Sequence, residues 1–157
     1  MRHENPVIPS SRGKRVLVVD DEEEVRAAIV KILRREDLDV ASAGCAADAI
    51  RAATETPFDV VLTDLVLPGE DGIALLKQIR SIRPETRVVV MTAYGDWGSY
   101  VEALGAGAVE YVMKPLKKDD LVRLVGRALG QTSLAMGGDS ADPALTSKAL
   151  RRGRSTH

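Results

Sequence analysis

The sequence is poor in residues on which several protein classes depend. Among its 157 residues are one cysteine, one tryptophan, one phenylalanine and two histidines. The single cysteine, Cys45, cannot form an internal disulfide, which argues against a disulfide-stapled secreted domain and fits a reducing compartment. His3 and His157 lie at the two extremes of the chain, so we expect neither to act as a catalytic base.

The sequence also lacks an excess of charge and a long apolar run. Its formal net charge is −1 at pH 7, which argues against a nucleic-acid-binding protein that works through overall positive charge. No stretch approaches the roughly 18 consecutive apolar residues that a membrane span requires. The first 15 residues have no apolar core and so do not read as a signal peptide. We therefore expect a cytoplasmic protein without direct nucleic-acid or membrane binding.

Four apolar, valine-rich runs stand out in what the chain does contain. They cover residues 16–19, 60–63, 88–91 and 109–113. Continuous runs of this kind are typical of parallel strands that are buried on both faces. Helical patterns alternate with them, and a shorter fifth strand is predicted at 38–43. The helices are predicted over 22–35, 45–55, 73–83, 96–106 and 118–129, the third following a turn over 68–72. Five β-α units within about 115 residues predict one doubly wound α/β domain with helices on both faces of its sheet.

The ends of the chain differ in composition from this central part. We expect a flexible leader over residues 1–12, a domain over 13–130, and a linker-like basic tail over 131–157. The tail has room for one short helix over 145–150, and it is too short for a second core-bearing domain or a helix-turn-helix unit. The chain is then either a stand-alone domain or one cut from a longer protein.

Each apolar run is followed by a residue that can bind metal or phosphate. These residues are Asp20 and Asp21, Asp64, Thr92 and Lys114. Taken singly, each has a simpler explanation, such as an acidic helix start or a polar loop. In an open α/β sheet, however, ligands bind beyond the carboxyl ends of the strands. If the strands are neighbours, three carboxylates, a hydroxyl and an ammonium group meet in one phosphate and metal site.

These residues and their neighbours carry a specific resemblance to a known family. The chain resembles the receiver domain of two-component response regulators over residues 13–130. The matching stretches are Val-Val-Asp20-Asp21, Leu-Thr-Asp64-Leu-Val-Leu-Pro-Gly-Glu-Asp-Gly72, Met-Thr92-Ala93 and Tyr111-Val-Met-Lys114-Pro115. The stretch 92–96 is most similar to receivers that control sigma-54-dependent activators. The resemblance implies a five-stranded, flavodoxin-like sheet of strand order 2-1-3-4-5.

The resemblance also implies a role for the acidic residues. Asp64 would accept a phosphoryl group from a histidine kinase or a phosphotransfer protein. Asp20, Asp21 and Asp64, with the backbone carbonyl of Val66, would bind Mg²⁺, which prefers oxygen ligands. The protein would then catalyse only its own phosphorylation and slow dephosphorylation, rather than act as a conventional enzyme.

Further residues would complete the site and the switch. Lys114, preceding a cis bond to Pro115, would pair with the phosphoryl oxygens, and Thr92 would hydrogen-bond to them. Thr92 and Tyr111 would move together and change the face formed by the fourth helix, fifth strand and fifth helix. We expect this face to bind a downstream protein or a second copy of the chain. The residues expected on it are Trp97, Tyr100 and Leu104, with Val109 and Tyr111 close by.

Two other functions remain open at this point. A degenerate receiver would take no phosphate and serve as a scaffold or dimerisation module, although such domains usually lack one of the five polar residues found here. A hydrolase with an aspartyl intermediate, such as a haloacid-dehalogenase-type phosphatase, is the other. That class carries a second acid two residues after its nucleophile, where this chain has Val66, and it needs a cap insertion for which this chain has no room.

Overall fold

The computed structural model of the protein describes residues 13–130. The predicted leader over 1–12 and the predicted tail over 131–157 lie outside the described residues. All the candidate site residues lie within the described segment.

In the described part of the chain, seven strands form a main sheet and a small hairpin. They are β1 (Arg15–Val19), β2 (Asp39–Ala43), β3 (Val60–Asp64), β4 (Val66–Leu67), β5 (Glu70–Asp71), β6 (Arg87–Thr92) and β7 (Glu110–Met113). The main sheet has the order β2-β1-β3-β6-β7, and all of its pairs are parallel. Counted along the chain, its five strands are arranged 2-1-3-4-5. The flavodoxin-like α/β fold is therefore confirmed.

Within residues 13–130, four helices connect strands and a fifth follows β7. They are α1 (Glu23–Arg34), α2 (Ala46–Glu55), α3 (Gly72–Ile82), α4 (Trp97–Gly105) and α5, whose described part covers residues 118–130. The predicted helices agree within one or two residues, except that Gly130, predicted as the stop of the last helix, is itself helical. Within residues 13–130, no helix is both long enough and apolar enough to cross a membrane.

Two separate apolar cores, one on each face of the sheet, explain the continuous apolar runs. In β1, Leu17 and Val19 pack on the side of α2, α3 and α4, whereas Val16 and Val18 pack on the side of α1 and α5. All four side chains are completely buried. A strand covered on both faces needs apolar residues at every position, and that is the pattern in the sequence.

The predicted turn after β3 is a small antiparallel hairpin. Strands β4 and β5 pair over two residues each, and Gly69 between them has φ +75°, a conformation that glycine adopts at little cost. Asp71 ends the hairpin and starts α3, since its carboxylate accepts a hydrogen bond from the backbone N–H of Ala74 at 2.7 Å. This hairpin projects from the same edge of the sheet as Asp64.

Candidate functional site

The strand order brings the predicted polar residues to one edge of the sheet. The central strand β3 lies between β1 and β6, and β6 pairs with the edge strand β7. Asp64 is in register with Met91, and Thr92 with Met113. The residues that follow β1 and β7 therefore lie beside the carboxyl end of β3.

Three carboxylates form the centre of this edge. One carboxylate oxygen from each of Asp20, Asp21 and Asp64 lies within 4.8 Å of the others. Asp20 is 0% exposed and Asp64 is 8% exposed, whereas Asp21 faces solvent. Buried carboxylates are costly unless hydrogen bonds or opposite charges compensate them.

Backbone groups two residues further along the chain hold the two buried carboxylates. The N–H of Glu22 donates to Oδ1 of Asp20 at 2.9 Å, and the N–H of Val66 donates to Oδ1 of Asp64 at 3.2 Å. Each Oδ1 is thus held by its own loop, which leaves the Oδ2 atoms for other partners.

Lys114 provides the opposite charge. Its Nζ donates to Oδ2 of Asp20 at 2.6 Å and to Oδ2 of Asp64 at 2.9 Å. Its backbone N–H donates to the carbonyl of Thr92 at 2.8 Å, and its bond to Pro115 is cis, as the resemblance implies. Burial lowers the pKa of Lys114, but the hydrogen bonds and charges of Asp20 and Asp64 outweigh burial and raise it above its usual value.

Gly72 allows the start of α3 to lie directly against the backbone of Asp64. A Cβ atom at Gly72 would come within 2.2 Å of the Asp64 carbonyl oxygen, and the N–H of Gly72 donates to the carbonyl of Leu65 at 2.6 Å. Only glycine fits at this distance. The close approach fixes the backbone that carries the Asp64 carboxylate.

Thr92 lies at the end of β6 and is fully buried. Its hydroxyl accepts a hydrogen bond from the backbone N–H of Tyr94 at 3.0 Å. The structure thus brings Asp20, Asp21, Asp64 and Lys114 together in one group, which we call the strand-end pocket, and puts Thr92 at the adjacent strand end.

The charges of the strand-end pocket suit a divalent cation. Three carboxylates and one ammonium group give the pocket a formal net charge of −2. The donors are all oxygen atoms, the type that Mg²⁺ binds. Val66, whose backbone carbonyl is the further expected ligand, starts β4 two residues after Asp64 and is 53% exposed.

An apolar surface lies beside the pocket on α4 and β7, and we call it the α4–β7 face. Its exposed members are Trp97, Val101 and Leu104 on α4, Met113 on β7, and Val109 directly before β7. Tyr100, expected on this surface, is half-buried rather than exposed, because its ring packs edge-on against Tyr111. Val101 and Met113 were not predicted there, although Val101 follows Trp97 by four residues and so shares its side of the helix.

Tyr111, the predicted switch residue, is half-buried between β7 and α4. It packs against the apolar core on the α2, α3 and α4 side of the sheet. Its hydroxyl shares a hydrogen bond of 2.5 Å with the Ser99 hydroxyl. Sequence reasoning missed Ser99, since a serine in the first turn of a helix is usually assigned to capping alone.

Comparisons with known proteins agree with this geometry. Residues 16–126 match the response regulator receiver domain family. The transcriptional regulatory protein ZraR of Escherichia coli O157:H7 is 37% identical over 131 residues, which are 83% of this chain and 29% of that protein. The chain therefore spans less than a third of the length of that relative.

Solved structures agree as well. A CheY-like response regulator receiver domain protein from Methanospirillum hungatei superposes with a TM-score of 0.75 at 30% identity, covering 77% of this chain and 97% of that one. The beryllofluoride-activated NtrC4 receiver domain dimer superposes with a TM-score of 0.71 at 30% identity, covering 74% of this chain and 97% of that one.

Proposed function

The chain belongs to the response regulator receiver domain family, and on that premise we propose that it is a phosphorylation-dependent signalling switch whose acceptor is Asp64. The phosphodonor is a histidine kinase or a phosphotransfer protein in the cytoplasm. The observation that supports Asp64 most is its place in the strand-end pocket. It lies at the end of the central strand, with one carboxylate oxygen bonded to its own loop and the other to Lys114.

The proposed reaction is an in-line phosphoryl transfer. A carboxylate oxygen of Asp64 attacks the phosphorus of the phosphohistidine, the new O–P bond forms, and the N–P bond breaks. The leaving imidazole retains the bonding electron pair and takes up a proton. The loops that hold Asp20 and Asp64 keep the carboxylates in position, so the protein's contribution is orientation and charge.

Lys114 and Thr92 bind the negatively charged oxygens of the phosphoryl group. Lys114 keeps its proton at neutral pH, because two carboxylates bind its ammonium group. When Asp64 is phosphorylated, the ammonium group can pair with a phosphoryl oxygen instead of the lost carboxylate charge. The Thr92 hydroxyl, which accepts a hydrogen bond from the Tyr94 N–H, can donate its proton in a hydrogen bond to a second phosphoryl oxygen.

Asp20, Asp21 and Asp64, together with the Val66 carbonyl, are the residues that would hold Mg²⁺. The ion supplies positive charge to the transferring phosphoryl oxygens. The net charge of −2 in the pocket supports this assignment.

We assign the output to the α4–β7 face. Its exposed apolar side chains, among them Trp97 at 44% exposure and Leu104, are of the kind that protein interfaces bury. A second copy of the chain or a downstream protein would cover them once Thr92 and Tyr111 respond to phosphorylation. The NtrC4 receiver domain, whose beryllofluoride-activated form is a dimer, is similar in fold and supports self-association as one such output.

The direct test is intact mass after incubation with acetyl phosphate and Mg²⁺. We expect one added phosphoryl group on the wild type and none on Asp64→Asn or in the presence of a chelator. Asp59→Asn is the matched control, since Asp59 precedes the same strand at its opposite end. There it accepts a hydrogen bond from the Arg15 N–H at 2.8 Å, and an asparagine oxygen can accept this bond as well.

Two outcomes would contradict the proposal. An unmodified but folded wild type that also fails to bind beryllofluoride would favour the scaffold function. A phosphoryl group that persists in Asp64→Asn would mean that another residue is the acceptor.

A further inference from the structure

A second polar cluster lies under the first turn of α4 and contacts β7. The Ser99 hydroxyl oxygen donates to the carbonyl of Asp96 at 3.1 Å and accepts from the N–H of Asp96 at 3.2 Å. It also shares the 2.5 Å hydrogen bond with Tyr111. A hydroxyl has one proton and two acceptor sites. If the Ser99 hydroxyl donates to the Asp96 carbonyl, it accepts a hydrogen bond from the Tyr111 hydroxyl, and its hydrogen-bonding capacity is then fully used.

The Tyr111 side chain packs against Gly95, Ser99 and Tyr100, three residues that we call the Tyr111 seat. A Cβ atom at Gly95 would lie 2.7 Å from the Tyr111 hydroxyl and 3.2 Å from Cγ2 of Thr92, so the ring fits where it does because residue 95 has no side chain. The Tyr100 ring meets Tyr111 edge-on, with 5.5 Å between ring centroids. These contacts hold the ring from three sides.

A chain of ring contacts connects Tyr111, through Tyr100, to the exposed Trp97. Tyr100 lies 5.5 Å from Trp97, again between ring centroids, and Trp97 is the first residue of α4. The N-terminal turn of α4 is closed by a capping box in which Asp96 and Ser99 bond each other's backbone N–H groups. One atom, the Ser99 Oγ, thus belongs both to this cap and to the Tyr111 seat.

We propose that Ser99 is a positioning residue that couples the position of Tyr111 to the first turn of α4, and through it to Trp97. The inference rests on the proposed function and deepens it by assigning the route from the switch residue to the α4–β7 face. If Tyr111 moves, Ser99 loses its third partner and the Tyr100 ring loses its edge contact. Both changes act on the turn that carries Trp97, so Tyr111 and this turn change state together.

Trp97 provides a built-in reporter for the test, since it is the only tryptophan in the chain. Ser99→Ala and Tyr111→Phe each remove one partner of the shared bond, and only the first also weakens the capping box. Tyr94→Phe is the matched control, because Tyr94 is 77% exposed. Ser99→Thr keeps a hydroxyl and is the conservative rescue. Each variant is treated with acetyl phosphate and Mg²⁺, and Trp97 fluorescence is read alongside the phosphorylated fraction from intact mass.

We expect the extent of phosphorylation to be unchanged, because neither Ser99 nor the Tyr111 hydroxyl belongs to the strand-end pocket. The fluorescence change should fall below about half of the wild-type value in Ser99→Ala and in Tyr111→Phe, with no further loss in the double variant. Ser99→Thr and Tyr94→Phe should respond like the wild type. A wild-type response in either single variant, or losses that simply add, would overturn the inference.

Backbone amide exchange tests the same coupling without phosphate. Removing the Tyr111 hydroxyl on β7 should speed exchange in the first turn of α4, although the substitution leaves the capping box intact. Unchanged exchange there would contradict the inference. If the wild type took no phosphoryl group, the proposed function would fail, and this second measurement would still decide the role of Ser99.

Discussion

The strand-end pocket and the α4–β7 face depart from the usual distribution of residues in opposite directions. The pocket buries charge, with Asp20 fully inaccessible and Asp64 nearly so, whereas the face exposes apolar side chains such as Trp97 and Met113. A soluble protein normally does neither without a reason. Under the proposed function, a bound cation would compensate the charge of the pocket and a protein surface would cover the face.

The two regions limit stability by different mechanisms, so they should respond to different conditions. In the pocket the limit is repulsion between carboxylates that are partly withdrawn from water. On the face, apolar area that stays exposed contributes none of the roughly 25 cal/mol per Å² that its burial would give. A divalent cation should therefore relieve the first and leave the second unchanged.

Replacing Lys114 is expected to have the largest effect of the substitutions considered. Lys114→Met removes the charge that compensates Asp20 and Asp64, and breaking a buried ion pair on one side costs about 3–5 kcal/mol. We expect a loss near the lower end of this range in a chelator, since Asp64 keeps some access to solvent. Urea unfolding with and without Mg²⁺ measures it.

Mg²⁺ should restore part of the unfolding free energy that Lys114→Met loses, because a bound cation compensates the same carboxylates. Lys117→Met, at an exposed site three residues along, should change the free energy of unfolding by less than about 0.5 kcal/mol. If Lys114→Met were as stable as this control, the pocket would not be under electrostatic strain and the contrast with the face would disappear.

A substitution on the face should leave the pocket unaffected. Trp97→Ser removes a half-exposed ring that contacts Tyr100, and we expect a loss of about 1 kcal/mol in unfolding free energy. The extent of Asp64 phosphorylation, read by intact mass at saturating acetyl phosphate, should match the wild type. A clear fall in phosphorylation would mean that the face and the pocket are not separable in this way.

The sequence predicts the pocket well because its residues occupy positions set by the fold itself. Strand ends are visible in the sequence as the point where an apolar run stops, and parallel strands bring these ends together. Asp20, Asp64 and Thr92 could thus be assigned from the pattern of β1, β3 and β6. The flavodoxin-like order needed the family resemblance, since apolar runs do not specify which strands are neighbours.

The face is harder to predict, because a side chain stays exposed only where no other part of the fold packs against it, and the sequence pattern does not show this. Tyr100 and Trp97 are both aromatic and lie three residues apart, yet Tyr100 is held by Tyr111 while Trp97 remains exposed. Met113 reads as a core residue in an apolar run and is exposed because β7 is an edge strand. The double use of Ser99 depends on a contact across twelve residues of sequence, which no local pattern reveals.

The smallest expected effect concerns Asp96, which caps the helix that joins the two regions. Its pKa lies below the ordinary value of 3.8, chiefly because the backbone N–H of Ser99 donates a hydrogen bond to its carboxylate at 2.7 Å. A lowered pKa in the folded state means that the cap stabilises α4 fully above the ordinary pKa. This stabilisation is lost as the pH falls through the folded-state pKa.

Asp96→Asn isolates this effect, since asparagine is about as good an N-cap as aspartate but does not titrate. The urea midpoint of the wild type relative to Asp96→Asn should therefore fall as the pH drops from neutral to about 3. Asp48→Asn provides a comparison, because Asp48 is also an exposed aspartate of lowered pKa, held by Arg51 on α2 and not by α4. Amide exchange in the first turn of α4 should respond to pH in the Asp48 variant as in the wild type and lose that response only in the Asp96 variant. Equal responses in all three proteins would show that the charge on Asp96 does not hold the turn that links Tyr111 to the face.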